Sequence, residues 1–155
     1  VDLWVLELES GEERPWLDEP YAERDGQFSP DGRWVAYGSE ESGPSEIHVR
    51  SFPGGEERFV ISGGGGRNPI WSRDGSELFY YSADSEITAV PVTWTGGSPV
   101  FGRPTPLFRV ILRSGVHSFD VFPDGERFLL NRMVTETDER SLVLVQGWQR
   151  ELESR

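Results

Sequence analysis

The chain has 155 residues, with six Trp, nine Phe, four Tyr, 18 Gly and 11 Pro, a turn-dense composition that favours strands over helices and is long enough for a sizeable core. Its 15 basic and 27 acidic residues leave a net charge of −12, and such a surface repels phosphate backbones and anionic headgroups, so neither nucleic acid nor an acidic membrane surface is an expected partner. There are no cysteines, which excludes disulfides and thiolate metal sites.

Asp2–Leu8 alternates well enough to be a strand, and Gly11 ends it. Glu13–Leu17 is a short second strand. A strand ending near Phe28 follows, then Trp34–Tyr37, Ile47–Phe52 and Arg58–Ile61, with Pro53-Gly54-Gly55 turning between the last two. Gly63–Gly66 reads as a flexible crossing. Beyond it come Asn68–Trp71, Glu77–Tyr81, Ile87–Val92 and Pro104–Val110, and then His117–Phe122, Arg127–Arg132 and Leu142–Trp148. The charged tail 149–155 is read as a short helical turn. That makes thirteen predicted strands, and every one is short.

One pattern repeats among them. Phe28–Tyr37, Trp71–Tyr80 and Val121–Leu130 each run from an apolar strand end through an Asp-Gly turn into a second apolar strand. The turn pairs are Asp31-Gly32, Asp74-Gly75 and Asp124-Gly125. Glycine takes positive φ without steric cost, aspartate bonds its own neighbouring backbone, and Pro30 and Pro123 preset φ at the entry. Asp31 and Asp74 are 43 residues apart, and Asp74 and Asp124 are 50 apart. Self-similarity at roughly 40–45 residues with four strands per unit is the mark of a β-propeller blade. The longer interval is taken up by an insertion at Thr95-Gly96-Gly97-Ser98-Pro99.

The expected fold is therefore all-β: a β-propeller fragment of about three to three and a half four-stranded antiparallel blades. Residues 1–18 form a half blade, 19–62 and 63–110 complete blades, and 111–148 a last blade lacking its outer strand. Propellers close with about 4–8 blades. This piece alone cannot close in the usual way, so it is expected to expose blade faces and to self-associate.

The Ser-Pro-Asp-Gly turn followed by an aromatic-rich strand resembles the WD-like repeats of TolB-type β-propellers. The third-strand runs Asp2–Leu8, Glu46–Phe52 and Glu86–Val92 carry the same likeness. The stretch from His117 to Leu130, with Leu142–Leu152, looks like the C-terminal end of large bacterial proteins in which a serine/threonine kinase domain, or sometimes a DNA-binding regulator, precedes such a propeller. Gly147 stands where that family often has Asn. The resemblance implies an extracytoplasmic sensor, in the periplasm or at the cell surface, on a membrane-tethered parent. It carries no kinase residue onto this segment.

Candidate chemistry is sparse. His117, Ser118 and Asp120 invite a hydrolase reading, but no Gly-x-Ser-x-Gly elbow is present and adjacent strand residues face opposite ways. His48 and His117 lie in different blades, without the spacing of a metal site. Gly63–Gly66 lacks the Lys-Ser or Lys-Thr of a phosphate loop. No cofactor or metal is implied. Trp34, Tyr37, Trp71, Phe79 and Tyr80 read as core wedges between blades, whereas Trp16, Trp94 and Trp148 are less obviously buried.

The rim that collects the inter-blade loops is the expected contact surface. Its contact set is Glu23, Arg24, Arg67, Asn68 and Arg113, of which Arg67 and Asn68 could offer donors to an anionic group; the Asp-Gly turns fall on the opposite rim. The function read from this is non-catalytic binding of a protein or small-molecule ligand. The alternatives are the substrate-gating propeller of a prolyl-oligopeptidase-like peptidase and a free-standing periplasmic scaffold.

Overall fold

A computed structural model describes residues 1–113, 118–132 and 144–146. Fourteen strands run through them, all in antiparallel sheets, with no helix among the described residues. β1 (Leu3–Leu6) and β2 (Glu13–Leu17) form a two-stranded sheet. β3 (Glu23–Phe28), β4 (Trp34–Ser39), β5 (Glu46–Ser51) and β6 (Arg58–Val60) form the next in simple meander order. β7 (Gly66–Trp71), β8 (Glu77–Ser82) and β9 (Glu86–Thr95) begin the third. β12 (Phe119–Val121), β13 (Arg127–Leu130) and β14 (Leu144–Gln146) make the last. The tail 149–155 and His117 lie outside the described residues, as does Trp148.

The third sheet departs from the simple meander. β9 is ten residues long and serves two partners. Its first half pairs with β11 (Thr105–Arg109), the expected outer strand, and its second half pairs with β10 (Ser98–Phe101). The insertion is therefore a hairpin, and it supplies the strand beyond the expected thirteen. Gly96 and Gly97 take φ of 60° and 94° at its tip. The tip reaches the neighbouring sheet: the Trp34 indole donates to the Gly97 carbonyl at 3.1 Å, and Phe101 packs edge-on against Phe59.

The three repeated turns share one construction. The fourth residue donates its N–H back to the first: Gly32 to Ser29, Gly75 to Ser72 and Gly125 to Phe122. Only the glycine takes positive φ, at 70°, 72° and 73°. The aspartate instead folds its carboxylate over the turn. Asp74 accepts from the Ser76 amide at 3.0 Å and from the Ser72 hydroxyl at 2.8 Å, and these bonds hold its pKa below the usual carboxylate range. Asp31 accepts from Ser29, and Asp124 from the Glu126 amide and the Arg127 guanidinium.

Strand alternation sets the packing between sheets. Counted from each turn aspartate, the fourth and sixth residues face the preceding sheet: Val35 and Tyr37, Leu78 and Tyr80, Phe128 and Leu130. The third and fifth face the following one, as Trp34 and Ala36 do. Three clusters result. Trp34, Ala36, Ile47 and Val49 meet Trp71, Leu78 and Tyr80. Phe79, Tyr81 and Ile87 meet Phe119, Phe128 and Leu130. Leu17 meets Val35 and Tyr37 in a smaller cluster, flanked by Leu3, Trp16 and Phe52. All five expected wedges, Trp34, Tyr37, Trp71, Phe79 and Tyr80, are buried.

The Gly63–Gly66 expectation needs correcting. Gly63 and Gly64 are open, but Gly65 and Gly66 are buried. A Cβ on Gly66 would sit 2.8 Å from Ile47 and 3.0 Å from the Tyr80 ring. Half of this run is a close packing contact between sheets and only half is a free crossing.

Candidate functional site

β3, β7 and β12 are the first strands of successive sheets. Six residues before the three turn aspartates stand Asp25, Asn68 and Ser118. Asp25 and Asn68 share a left-handed backbone, φ 56° and 51°, and the pairing register shifts at both. Each is the extra residue of a bulge, which re-aims side chains locally.

These bulges tie the first strands to one another. Asp25 accepts the Asn68 N–H at a long 3.4 Å. Gln27 accepts the Trp71 N–H at 2.7 Å through its side-chain oxygen. The Ser118 hydroxyl lies 3.4 Å from Asn68 Oδ1 and 3.3 Å from the Arg113 carbonyl. A cavity of about 850 Å³ opens along the three strands, lined by Asp25, Gln27, Asn68, Ile70, Phe119 and Asn131 among others. A concave space with convergent polar groups is the default place for a ligand.

The structure divides the expected contact set. At one end of β7, Ser118 links the Asn68 side chain to the Arg113 backbone carbonyl, and Arg67 is the residue before Asn68 on that strand, set over the Tyr81 ring. Arg67 and Arg113 are exposed, whereas Asn68 is 7% exposed and engaged in this network. Arg24 lies at the equivalent end of β3 and is paired with Glu40 at 3.3 Å. The Asp-Gly turns sit at the opposite strand ends.

Glu23 is a correction. It is 1% exposed, and neither carboxylate oxygen has a hydrogen-bond partner. It is an interior group of the β1–β2 joint, not a rim contact. Burial pushes its pKa up, and the charges of Asp2 and Glu19 add to that. Its neighbour Tyr37 is pushed up to about 12 by burial. His48, also buried, is held below the usual histidine range by desolvation and then by Arg58.

Ser118 is buried and bound to Asn68, and Asp120 is exposed. Among the described residues no group of three or more His, Cys, Asp or Glu is placed to hold a metal. Sequence reasoning put Asp25 on the rim but outside the contact set, weighed Ser118 only as a nucleophile, and missed Gln27 and Tyr81. The equal offsets of Asp25, Asn68 and Ser118 from their turns were a usable signal. The role of Tyr81 was not visible, because a strand tyrosine reads first as core.

No family model matches the chain. It is 32% identical over 172 residues to the uncharacterized peptidase YuxL of Bacillus subtilis (strain 168), an alignment covering 90% of this chain. The chain spans only about a quarter of that relative's length, 26%. Among solved structures, TolB from Acinetobacter baumannii superposes with a TM-score of 0.52 at 17% identity, covering 94% of this chain and 48% of TolB. The tricorn protease gives a TM-score of 0.52 at 18% identity, covering 68% of this chain and 15% of the protease. With four antiparallel sheets packed face to face in sequence order and these neighbours, the fold is that of a TolB-like β-propeller.

Proposed function

We propose that the chain is a non-catalytic binding module whose inter-blade rim, at the first ends of β3 and β7, receives a polypeptide or small-molecule ligand. The observation that carries this reading is the connected polar rim over the cavity, with Arg67 and Arg113 exposed beside it. Rigid strands hold the polar groups, and the exposed arginines are left to reach a partner. By the resemblance of its last repeat, the module is the extracytoplasmic sensor end of a membrane-tethered bacterial serine/threonine kinase. The likeness to YuxL favours a second parent, a peptidase with this propeller gating access to it. Nucleic acid remains disfavoured by the net charge of −12.

The test is site-specific photocrosslinking in the full-length parent. A crosslinker in place of Arg113 is expected to capture a second polypeptide, and one in place of Arg73, beside the opposite turn, is not. Equal capture from both positions, or capture from Arg73 alone, overturns the reading. The parent's domain order separates the two contexts: a kinase domain and membrane span upstream, or a hydrolase domain.

Open faces carry Trp4 and Leu6 on the first sheet and Leu129 on the last, each more than half exposed. The separated chain is therefore expected to self-associate through them. Light scattering that shows a monomer at high concentration would count against this.

A further inference from the structure

Arg24 and Arg67 are equivalent residues, each seven before its turn aspartate. Their surroundings differ at two equivalent positions. Nine after the aspartate, the first repeat has Glu40 and the second has Ala83. Seven after it, the first has Gly38 and the second has Tyr81. Arg24 is cross-strand from Gly38 and forms its ion pair with Glu40. Arg67 is cross-strand from Tyr81, and its guanidinium carbon lies 4.9 Å from that ring's centre.

The tyrosine is a fixed seat. It is buried, and its hydroxyl donates to the Val110 carbonyl at 3.0 Å. No ion pair to Arg67 is formed among the described residues. In a chain with 27 acidic residues this is informative. At these two equivalent positions, among the described residues, the repeat gives one arginine a counter-ion and the other an alanine and an aromatic support. A stacked guanidinium keeps its N–H fork free for a planar acceptor.

We propose that Arg67 anchors a carboxylate supplied by the binding partner. The inference rests on the inter-blade rim being the binding face, and it names the chemistry recognised there. A carboxylate matches the planar fork bidentately. It also carries one charge, where a phosphate carries up to two, and so meets less repulsion from a chain at −12. For the same reason the segment bearing it is otherwise neutral or basic.

The probe is a short blocked peptide with one glutamate between two lysines, titrated at moderate salt and followed through the Arg67 Nε–H resonance and the global dissociation constant. Replacing the glutamate by glutamine, or Arg67→Gln in the protein, is expected to weaken binding about tenfold, the order of one charge-assisted pair. Arg24→Gln, whose guanidinium already has a counter-ion, is expected to leave it within about twofold. A third peptide, with glutamine inside and a free C-terminal carboxylate, tells a side-chain source from a chain terminus, since only the matching source restores affinity. Failure of every carboxylate peptide to bind, or equal loss from Arg67→Gln and Arg24→Gln, overturns the inference. Rim crosslinking that persists in Arg67→Gln would leave the binding role standing and remove the carboxylate anchor alone.

Discussion

Replacing Phe128 with alanine is expected to cost about 3–5 kcal/mol, the usual range for emptying a fully buried aromatic site. Phe128 is wholly buried in β13 and lies edge-on to Phe79 at 5.4 Å and to Phe108 at 5.2 Å. Both partners belong to the preceding sheet, so the loss falls on one joint. Leu129 is the control. It is the next residue on the same strand, faces the other way and is 52% exposed. Leu129→Ala is expected to change stability by about half a kcal/mol or less. Urea unfolding gives both numbers. Hydrogen exchange should show amides of β12 and β13 losing protection while the joint between Trp34 and Trp71 keeps its own. Equal costs for the two variants would mean that the alternation does not organise the packing.

That alternation is also why so much of the fold was legible. Each strand carries its own face assignment in a period of two, and each turn is closed by residues within four positions of one another. Ser29, Asp31 and Gly32 need nothing distant to fold their turn, so three copies of it could be read from local chemistry. β10 had a local signal that an insertion reading passes over: Gly96 and Gly97 both take positive φ between the directly paired Thr95 and Ser98, a two-residue hairpin turn. What nothing local shows is where that tip docks, since the Trp34 indole that donates to the Gly97 carbonyl is 63 residues away. Gly66 was not legible for that second reason: the atoms that forbid a side chain there belong to Ile47 and Tyr80.

The candidate site was legible in position but not in chemistry. Arg24 and Arg67 occupy the same place in the repeat, and nothing local marks one as neutralised and the other as available. That distinction lies in Glu40, Ala83, Gly38 and Tyr81, each on the following strand or the loop after it. Glu23 misled for a simpler reason. A glutamate at the start of a strand after a charged loop is normally solvated, and only the docking of β1 and β2 encloses it. There its N–H donates to the Val1 carbonyl at 2.8 Å, while its carboxylate is left without a donor.

That enclosure makes Glu23 the expected source of a pH-dependent loss of stability. A buried carboxylate without a donor favours its neutral form. Its folded pKa stands above the ordinary glutamate value, through burial first and then the charges of Asp2 and Glu19. The folded chain therefore holds a proton that the unfolded chain has released. Stability linked to this group is complete below about 4.5 and falls as pH rises through the raised folded value. Glu23→Gln keeps the shape and removes the titration. The variant is expected to match the wild type in acid and to exceed it above the folded pKa, where only the wild type has to bury a charge. The effect should appear first in β1 and β2. They are held by the smallest apolar cluster, by the Trp16 indole donating to the Pro53 carbonyl at 3.1 Å, and by an Arg50–Glu19 pair at 3.6 Å. Hydrogen exchange of those two strands across the pH series reads it directly. If wild type and Glu23→Gln give superimposable profiles, then ionised Glu23 is solvated in the folded chain, and the joint around it is looser than its burial implies.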